Sequence, residues 1–254
     1  MLRSMYSGIS GMKNFQTKLD VIGNNIANVN TYGFKKGRAT FKDLVSQQVA
    51  GASNGTNPKQ IGLGSQLATI DTIDTQGSTQ TTGRALDLAI SGDGYFKVRT
   101  SNGDLLTRAG YFYLNNDGTI VNGDGYELLD SGNNPINIPQ NASSFSVGPD
   151  GKITVVGAAS PGAPIGITKV TNPGGLEKAG SNLYRPTANS QVVSNNSPGT
   201  GGAGDLVSGA LEMSNVDLSE EFTDMIVAQR GFQANTKIIT TSDEILQELV
   251  NLKR

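Results

Sequence analysis

The side chains available for chemistry are carboxylates, amines, guanidiniums and hydroxyls, because the 254-residue chain contains no histidine and no cysteine. Ser-His-Asp and Cys-His nucleophilic catalysis are thereby excluded, together with most zinc sites and any disulfide framework. A Ser-Lys dyad or a carboxylate pair remains, and Asp71 with Asp74 is the nearest pair by spacing. Both lie in a stretch whose alternation predicts a strand, where residues i and i+3 point to opposite faces. Gly92-Asp93-Gly94 and Gly123-Asp124-Gly125 raise the question of calcium or phosphate loops. A calcium loop needs oxygen ligands spaced as D-x-D-x-D-G, and a phosphate loop needs a glycine run that opens a helix beside a lysine. Neither pattern is present, so these glycines read as turns. The expectation is a protein without catalytic, cofactor or metal residues. A secreted binding module whose Gly/Asp turns hold a glycan or an ion is the competing class.

Composition points the same way. Apolar residues make up 36% of the chain, glycine is abundant at 33 residues, and tryptophan is absent. This predicts a β-rich, turn-rich architecture more than a compact enzyme. The net charge of −2 projects no field toward nucleic acid. No segment approaches the roughly 20 apolar residues of a membrane-spanning helix, and the first residues lack the apolar run and cleavage site of a secretory signal. Nucleic-acid binding and membrane insertion are therefore not expected, and export, if it occurs, is expected without a cleaved signal.

The strongest pattern lies at the two ends. From Ser214 onward, Met225, Phe232, Ile239 and Leu246 recur every seventh residue, and Ile238, Ile245 and Leu252 form a second row beside them. Leu218 and Phe222 open the same stretch. Spacing of this kind predicts a coiled-coil helix that continues to Arg254. Asp217, followed three places later by Glu220, reads as an N-cap with its capping-box partner, and Glu221 and Asp224 add negative charge at the positive end of the helix. At about 1.5 Å per residue such a helix is on the order of 50 Å long, so it needs a partner. The N-terminal stretch supplies one, with Met5, Ile9, Met12, Leu19, Ile22 and Ile26 in a stripe. Its lysines and arginines complement the acids of the C-terminal helix. Two helices do not bury both stripes, and the leftover seam predicts packing against other copies of the chain.

Between the ends, the sequence predicts a first helix from Leu2 to Asn28, a short amphipathic segment over 34–44, and a loop or weak hairpin over 46–66. Extended structure follows over 67–82, then hairpins across 84–156. The hairpins are marked by Asn115-Asn-Asp-Gly118, Asn122-Gly-Asp-Gly125 and Pro149-Asp-Gly151. The resulting scheme is α+β: an inner core of 1–45 with 210–254, a loop at 46–66, a β-rich outer domain at 67–186, and a flexible Gly/Ser/Asn linker at 187–209.

The residues that carry the seams also carry a family likeness. Leu19-Asp-Val-Ile-Gly-Asn-Asn-Ile-Ala-Asn28, with Asn24, Asn25 and Asn28, and the following Thr31-Tyr-Gly-Phe-Lys35, with Thr31, Gly33 and Phe34, resemble the N-terminal signature of the flagellar axial proteins of the bacterial rod and hook. Ser214-Asn-Val-Asp-Leu-Ser219, with Asn215 and Asp217, is similar to the other end of that family. So is Ala228-Gln-Arg-Gly-Phe-Gln-Ala-Asn235, with Gln229, Arg230 and Asn235. Thr82-Gly-Arg-Ala-Leu-Asp-Leu-Ala-Ile90 and Gly94-Tyr-Phe96 are similar to its central β-domain.

The resemblance implies a structural subunit that polymerises helically, its terminal helices forming the inner tube and its β-domain the outer layer. It implies export through the flagellar type III apparatus, an extracellular place in the hook and basal body, and partners among rod, hook-cap and hook–filament junction proteins. Several motifs look more like a hook protein, so a short hook subunit transmitting torque is the main expectation and a distal rod subunit the alternative. Over 46–66, where rod proteins carry an extra stretch that implies a stiffer tube, the sequence does not match clearly.

Overall fold

The structure is a computed structural model that describes residues 2–51, 57–101, 103–157 and 159–252. Lys253 and Arg254 of the expected C-terminal helix, residues 52–56 of the expected loop, and Asn102 lie outside the described residues. The fold is α+β, with two helices flanking a strand-rich middle. Contacts divide it into two units, each built from separate stretches of the chain. The first is Met1–Ala27, Gly37–Thr72 and Asp217–Arg254; the second is Asn28–Lys36 and Ile73–Val216.

The first unit holds α1 (Leu2–Ala27), β1 (Gly37–Asp43), β2 (Ser46–Ala50), β3 (Lys59–Gly62), β4 (Ser65–Thr72) and α2 (Leu218–Asn251). The helices run antiparallel. Where Gly8 and Gly11 of α1 lack side chains, α2 comes close: a Cβ on Gly8 would stand 3.3 Å from Ile239, and one on Gly11 would stand 2.7 Å from the Asn235 amide. The amphipathic segment expected over 34–44 holds the strand β1. Arg38 and Thr40 of β1 pair antiparallel with Asp71 and Thr69 of β4, with a bulge between Thr40 and Phe41. This ribbon packs on α1, where the Asn14 amide donates to Ser65 Oγ at 2.8 Å. β2 and β3 pair antiparallel, and every residue of both strands is exposed.

The second unit holds β5 (Thr79–Thr81), β6 (Leu88–Ser91), β7 (Tyr95–Thr100), β8 (Gly103–Thr107), β9 (Tyr113–Leu114), β10 (Ile120–Val121), β11 (Glu127–Leu128), β12 (Ser144–Val147) and β13 (Ile153–Val156). It continues with β14 (Ile167–Val170), β15 (Glu177–Gly180), β16 (Leu183–Arg185), β17 (Val192–Asn196), β18 (Asp205–Ser208) and β19 (Ala210–Glu212). β7 is central: β8 pairs along one edge, and β14 and β11 follow one another along the other. Its alternate residues enter different clusters. Phe96 and Val98 join the main core with Leu88, Ile90, Phe112, Leu128 and Ile167, whereas Tyr95 packs with Leu106, Val170 and Tyr184. Phe96 meets Phe112 edge-on at 5.3 Å, the favourable quadrupole arrangement.

Turn chemistry accounts for the hairpins. Asn122 Oδ1 accepts from the backbone N–H groups of Asp124 and Tyr126, closing the loop that Gly125 leaves with φ 84°.

The expected boundaries do not match these units. β4 belongs with the helices because it pairs with β1. The stretch 187–209 is not a linker: β17 pairs with β14, β18 pairs with β6, and Leu206 and Ala203 sit in the core. Its Gly/Asn/Ser composition makes turns between strands, with Gly199, Gly201 and Gly202 at positive φ.

Candidate functional site

The helix pair of the first unit is built on a seam with steps of four and three: Glu221, Met225, Ala228, Phe232, Asn235, Ile239, Ser242 and Leu246. The first row of sevens expected from the sequence, Met225, Phe232, Ile239 and Leu246, lies in it and is half-buried. Glu221, Ala228 and Ser242, interleaved with that row, are the fully buried residues of α2. Small residues at the contact let the axes approach. A Cβ on Gly231 would stand 2.4 Å from the Phe15 ring. Lys18 and Asp224 pair at 3.3 Å along the flank, an exposed contact worth a few tenths of a kcal/mol to about 1 kcal/mol.

The second row does not enter this seam. Ile245 is 46% exposed and Leu252 81%, and Ile238 is likewise exposed; Ile238 and Ile245 each lie one position before a seam residue, on the flank that α1 does not reach. Leu218 and Phe222 at the start of α2 are exposed as well. On α1, Met5, Met12, Leu19 and Ile26 are half-buried and Ile22 is buried, but Ile9 turns outward because Gly8 and Gly11 face α2 instead. Ile226, Val227, Leu249 and Val250 are exposed as well; of all these, Val227, Ile238, Ile245, Leu249 and Leu252 fall on one side of α2, and the others are spread around it.

The polar family-like residues hold the chain ends in place. Asn25 is 1% exposed and joins three elements. Its amide donates to the Gly37 carbonyl at 2.9 Å and to Glu221 Oε2 at 3.1 Å, and its Oδ1 accepts from the Gly37 N–H at 2.9 Å. Asp217 is the N-cap of α2, accepting from the N–H groups of Ser219 and Glu220. Asn235 bonds back to the Gly231 carbonyl inside its helix. Asn24, Gln229 and Arg230 are exposed.

In the second unit, Thr31 Oγ1 donates to Asn28 Oδ1, closing the turn after α1. Gly33 follows at φ 68°, where an added Cβ would stand 2.6 Å from the backbone of Arg108. Phe34 is buried beneath the Lys178 ammonium, 5.0 Å from its ring. Asn215 Oδ1 accepts from the Lys36 N–H at 2.7 Å, and its amide donates to the Ile73 carbonyl at 2.8 Å.

The most charged cluster of the second unit was not legible as such in the sequence. Glu212 accepts from Lys35 Nζ at 2.8 Å, Arg108 Nε at 2.5 Å and the Gly77 N–H at 3.0 Å. All three side chains are buried, Lys35 and Glu212 at 1% exposure. Arg108 also donates to the carbonyls of Gly92 and Gly94, so the first Gly-Asp-Gly is a backbone cradle for a guanidinium. Burial pushes the Glu212 carboxyl up, but Arg108 and Lys35 outweigh it and hold the group below its ordinary range. Asp74 pairs loosely with Lys35 and Asp71 with Arg38, each at 3.8 Å, so the two carboxylates serve separate cations. Lys35 closes the Thr-Tyr-Gly-Phe-Lys motif, but nothing local marks Arg108 or Glu212 as its partners.

Comparison with known proteins is consistent along the whole chain. Residues 5–35 match the family described as flagella basal body rod protein, residues 89–155 the flagellar hook protein FlgE/F/G D1 domain, and residues 207–252 the flagellar basal body rod FlgEFG protein C-terminal. The chain is 65% identical, over the full length of both, to the flagellar basal-body rod protein FlgG of Bacillus subtilis. In Borreliella burgdorferi it is 38% identical to the rod protein FlgG, aligned over 266 positions, and 31% identical to the hook protein FlgE, aligned over 441, each alignment covering both chains entirely.

Proposed function

Because the chain belongs to the family of flagellar basal-body rod and hook proteins, we propose that it is a structural subunit of the distal rod, not of the hook. The carrying observation is the 65% identity over both full lengths to a rod protein, against hook relatives that align only with long stretches this chain lacks. Two of the motifs that favour the hook, over 214–219 and 231–235, lie where the chain matches a model described for FlgE, FlgF and FlgG together, so they do not separate the branches. Length does, because the rod relatives align with the chain almost residue for residue.

The exposed face of α2 supports self-assembly. Ile238, Ile245, Leu249 and Leu252 present apolar surface along a helix whose other side is already covered by α1, and a long seam of this kind is buried by further copies. The exposed strands β2 and β3 lie in the stretch where the resemblance places the stiffening element of rod subunits, although the sequence there does not clearly match it. Rod and hook subunits are then the neighbours; hook-cap and junction contacts belonged to the hook reading. Export through the flagellar type III apparatus completes the proposal.

Gold-labelled antibody against the protein on isolated hook–basal bodies tests it. Label on the straight shaft supports the rod assignment, and label confined to the curved segment overturns it in favour of the hook.

A further inference from the structure

The second unit carries a cavity of about 380 Å³, within the size range of small-molecule sites. Three tyrosines line it. The Tyr32 and Tyr111 rings meet at 6.4 Å with a 55° tilt, forming a corner of two aromatic planes, and the Arg84 guanidinium covers Tyr113 at 4.4 Å. The charged lining residues neutralise each other, with Arg84 Nη1 3.3 Å from Asp87 Oδ1. Asp87 is fixed further by Thr82, whose hydroxyl donates to its other oxygen at 2.7 Å. The wall therefore combines aromatic planes with amide, hydroxyl and carboxylate groups and has no net charge. An ionic ligand would find no counter-charge there. A ligand with one apolar and one polar face would find both.

The far wall is set by an unusual turn. Ser181 and Asn182 join β15 to β16 with φ 50° and 59°, the two left-handed residues of a two-residue hairpin loop, a place where glycine is favoured at the second position. Asn182 takes that conformation with its side chain in the cavity lining, and its amide reaches the Tyr32 carbonyl at 3.4 Å.

We propose that this cavity binds a neutral oligosaccharide, with a pyranose ring against the Tyr32–Tyr111 corner and its hydroxyl or acetamido groups hydrogen-bonded by Asn182 and the Arg84–Asp87 edge. The class follows from the chemistry of the wall: the CH face of a sugar packs on aromatic rings, while its equatorial groups need donors and acceptors without net charge. The site is independent of where the subunit sits in the flagellum.

The test is saturation-transfer NMR on the full chain with the trisaccharide of N-acetylglucosamine, and with the deacetylated, cationic glucosamine trisaccharide as control. Transfer to the acetylated sugar and little to the cationic one is expected. Asn182→Gly relieves the turn, so it should melt no lower than wild type, yet it should weaken binding about five- to tenfold through the lost hydrogen bonds. Tyr111→Leu should weaken it by at least as much. Absence of transfer from the acetylated trisaccharide at millimolar concentration overturns the proposal, as does equal transfer to both sugars or an unchanged signal in both variants. Loss of polymerisation in Asn182→Gly without any saccharide signal would assign the cavity to a second copy of the chain and would equally overturn it.

Discussion

Replacing Glu212 by Gln is the sharpest test of how the second unit is held together. The amide keeps the shape of the side chain but removes the charge that serves two buried cations, and it turns an N–H₂ toward a donor where Glu212 accepted from Lys35 at 2.8 Å, Arg108 at 2.5 Å and the Gly77 N–H at 3.0 Å. Lys35 and Arg108, 1% and 4% exposed, are then left with buried charge that water does not reach. Breaking one partner of such a cluster costs about 3–5 kcal/mol. For a unit of this size, about 2–4 °C of melting temperature goes with each kcal/mol, so Glu212→Gln should melt about 6–20 °C below wild type in calorimetry at pH 7. Added salt should not restore it, because buried pairs are poorly screened.

The pH dependence carries a sign that can be checked separately. Arg108 and Lys35 depress the folded-state Glu212 below its ordinary 4.5 even though burial alone would raise it. Its contribution is therefore complete above that value and is lost as pH falls through the folded-state value. The gap between wild type and Glu212→Gln should be widest at pH 7 and should narrow progressively below pH 4.5. A variant that melts within about 2 °C of wild type at pH 7, or a gap that widens in acid, would refute the reasoning.

Three further outcomes follow from the same contacts. Gly33→Ala forces a side chain into a left-handed conformation and against the Arg108 backbone at 2.6 Å, and should cost at least about 2 kcal/mol in urea unfolding. Asp217→Ala removes the cap of α2 and should lower the stability of the helix pair by about 1 kcal/mol, with Asp217→Asn restoring most of it. Ile238→Ser with Ile245→Ser acts on exposed positions, so the melting of the monomer should move by no more than about 0.5 kcal/mol per site. Polymer yield in sedimentation should fall, and undiminished polymerisation would remove these residues from the subunit contact.

The elements most legible in the sequence are those whose signal is local. The Asp217 cap, the seven-residue row from Met225 to Leu246, and the hairpin turns at Asn122–Gly125 and Pro149–Gly151 each depend on residues a few places apart, and each forms. The stretch 187–209 misled because glycine, serine and asparagine serve a β-turn and a flexible linker equally well. Only the burial of Leu206 and the pairing of β18 with β6 separate the two. The second row of α2 misled for a related reason. Periodicity marks which residues share a face but not which face the partner takes, and glycines at positions 8 and 11 of α1, invisible to an apolar count, draw α2 onto its Asn235–Ile239 side. The hook preference had a similar weakness, since two of its three motifs lie in the C-terminal stretch whose matching model is described for FlgE, FlgF and FlgG together.

What fixes the register of the two ends of this chain is polar, although what packs them is an apolar seam. A seam of Met, Phe, Ile and Leu at steps of three and four can slide by a turn and still bury apolar surface. The Asn25–Glu221 bond cannot slide, because Asn25 already spends its remaining amide hydrogen and its Oδ1 on the Gly37 backbone and Glu221 is buried beside it, 196 residues away in sequence. A slip of one turn would leave a buried carboxylate and a buried amide without partners, a penalty of several kcal/mol against a small change in apolar contact. Lys35–Glu212, 177 residues apart, and Lys36–Asn215, 179 apart, apply the same constraint inside the second unit. Stability thus comes chiefly from the apolar cores, whereas the choice of a single alignment comes from asparagines and glutamates with one geometry each. This accounts for the buried Asn25 of the first motif, which hydrophobic packing alone would not require.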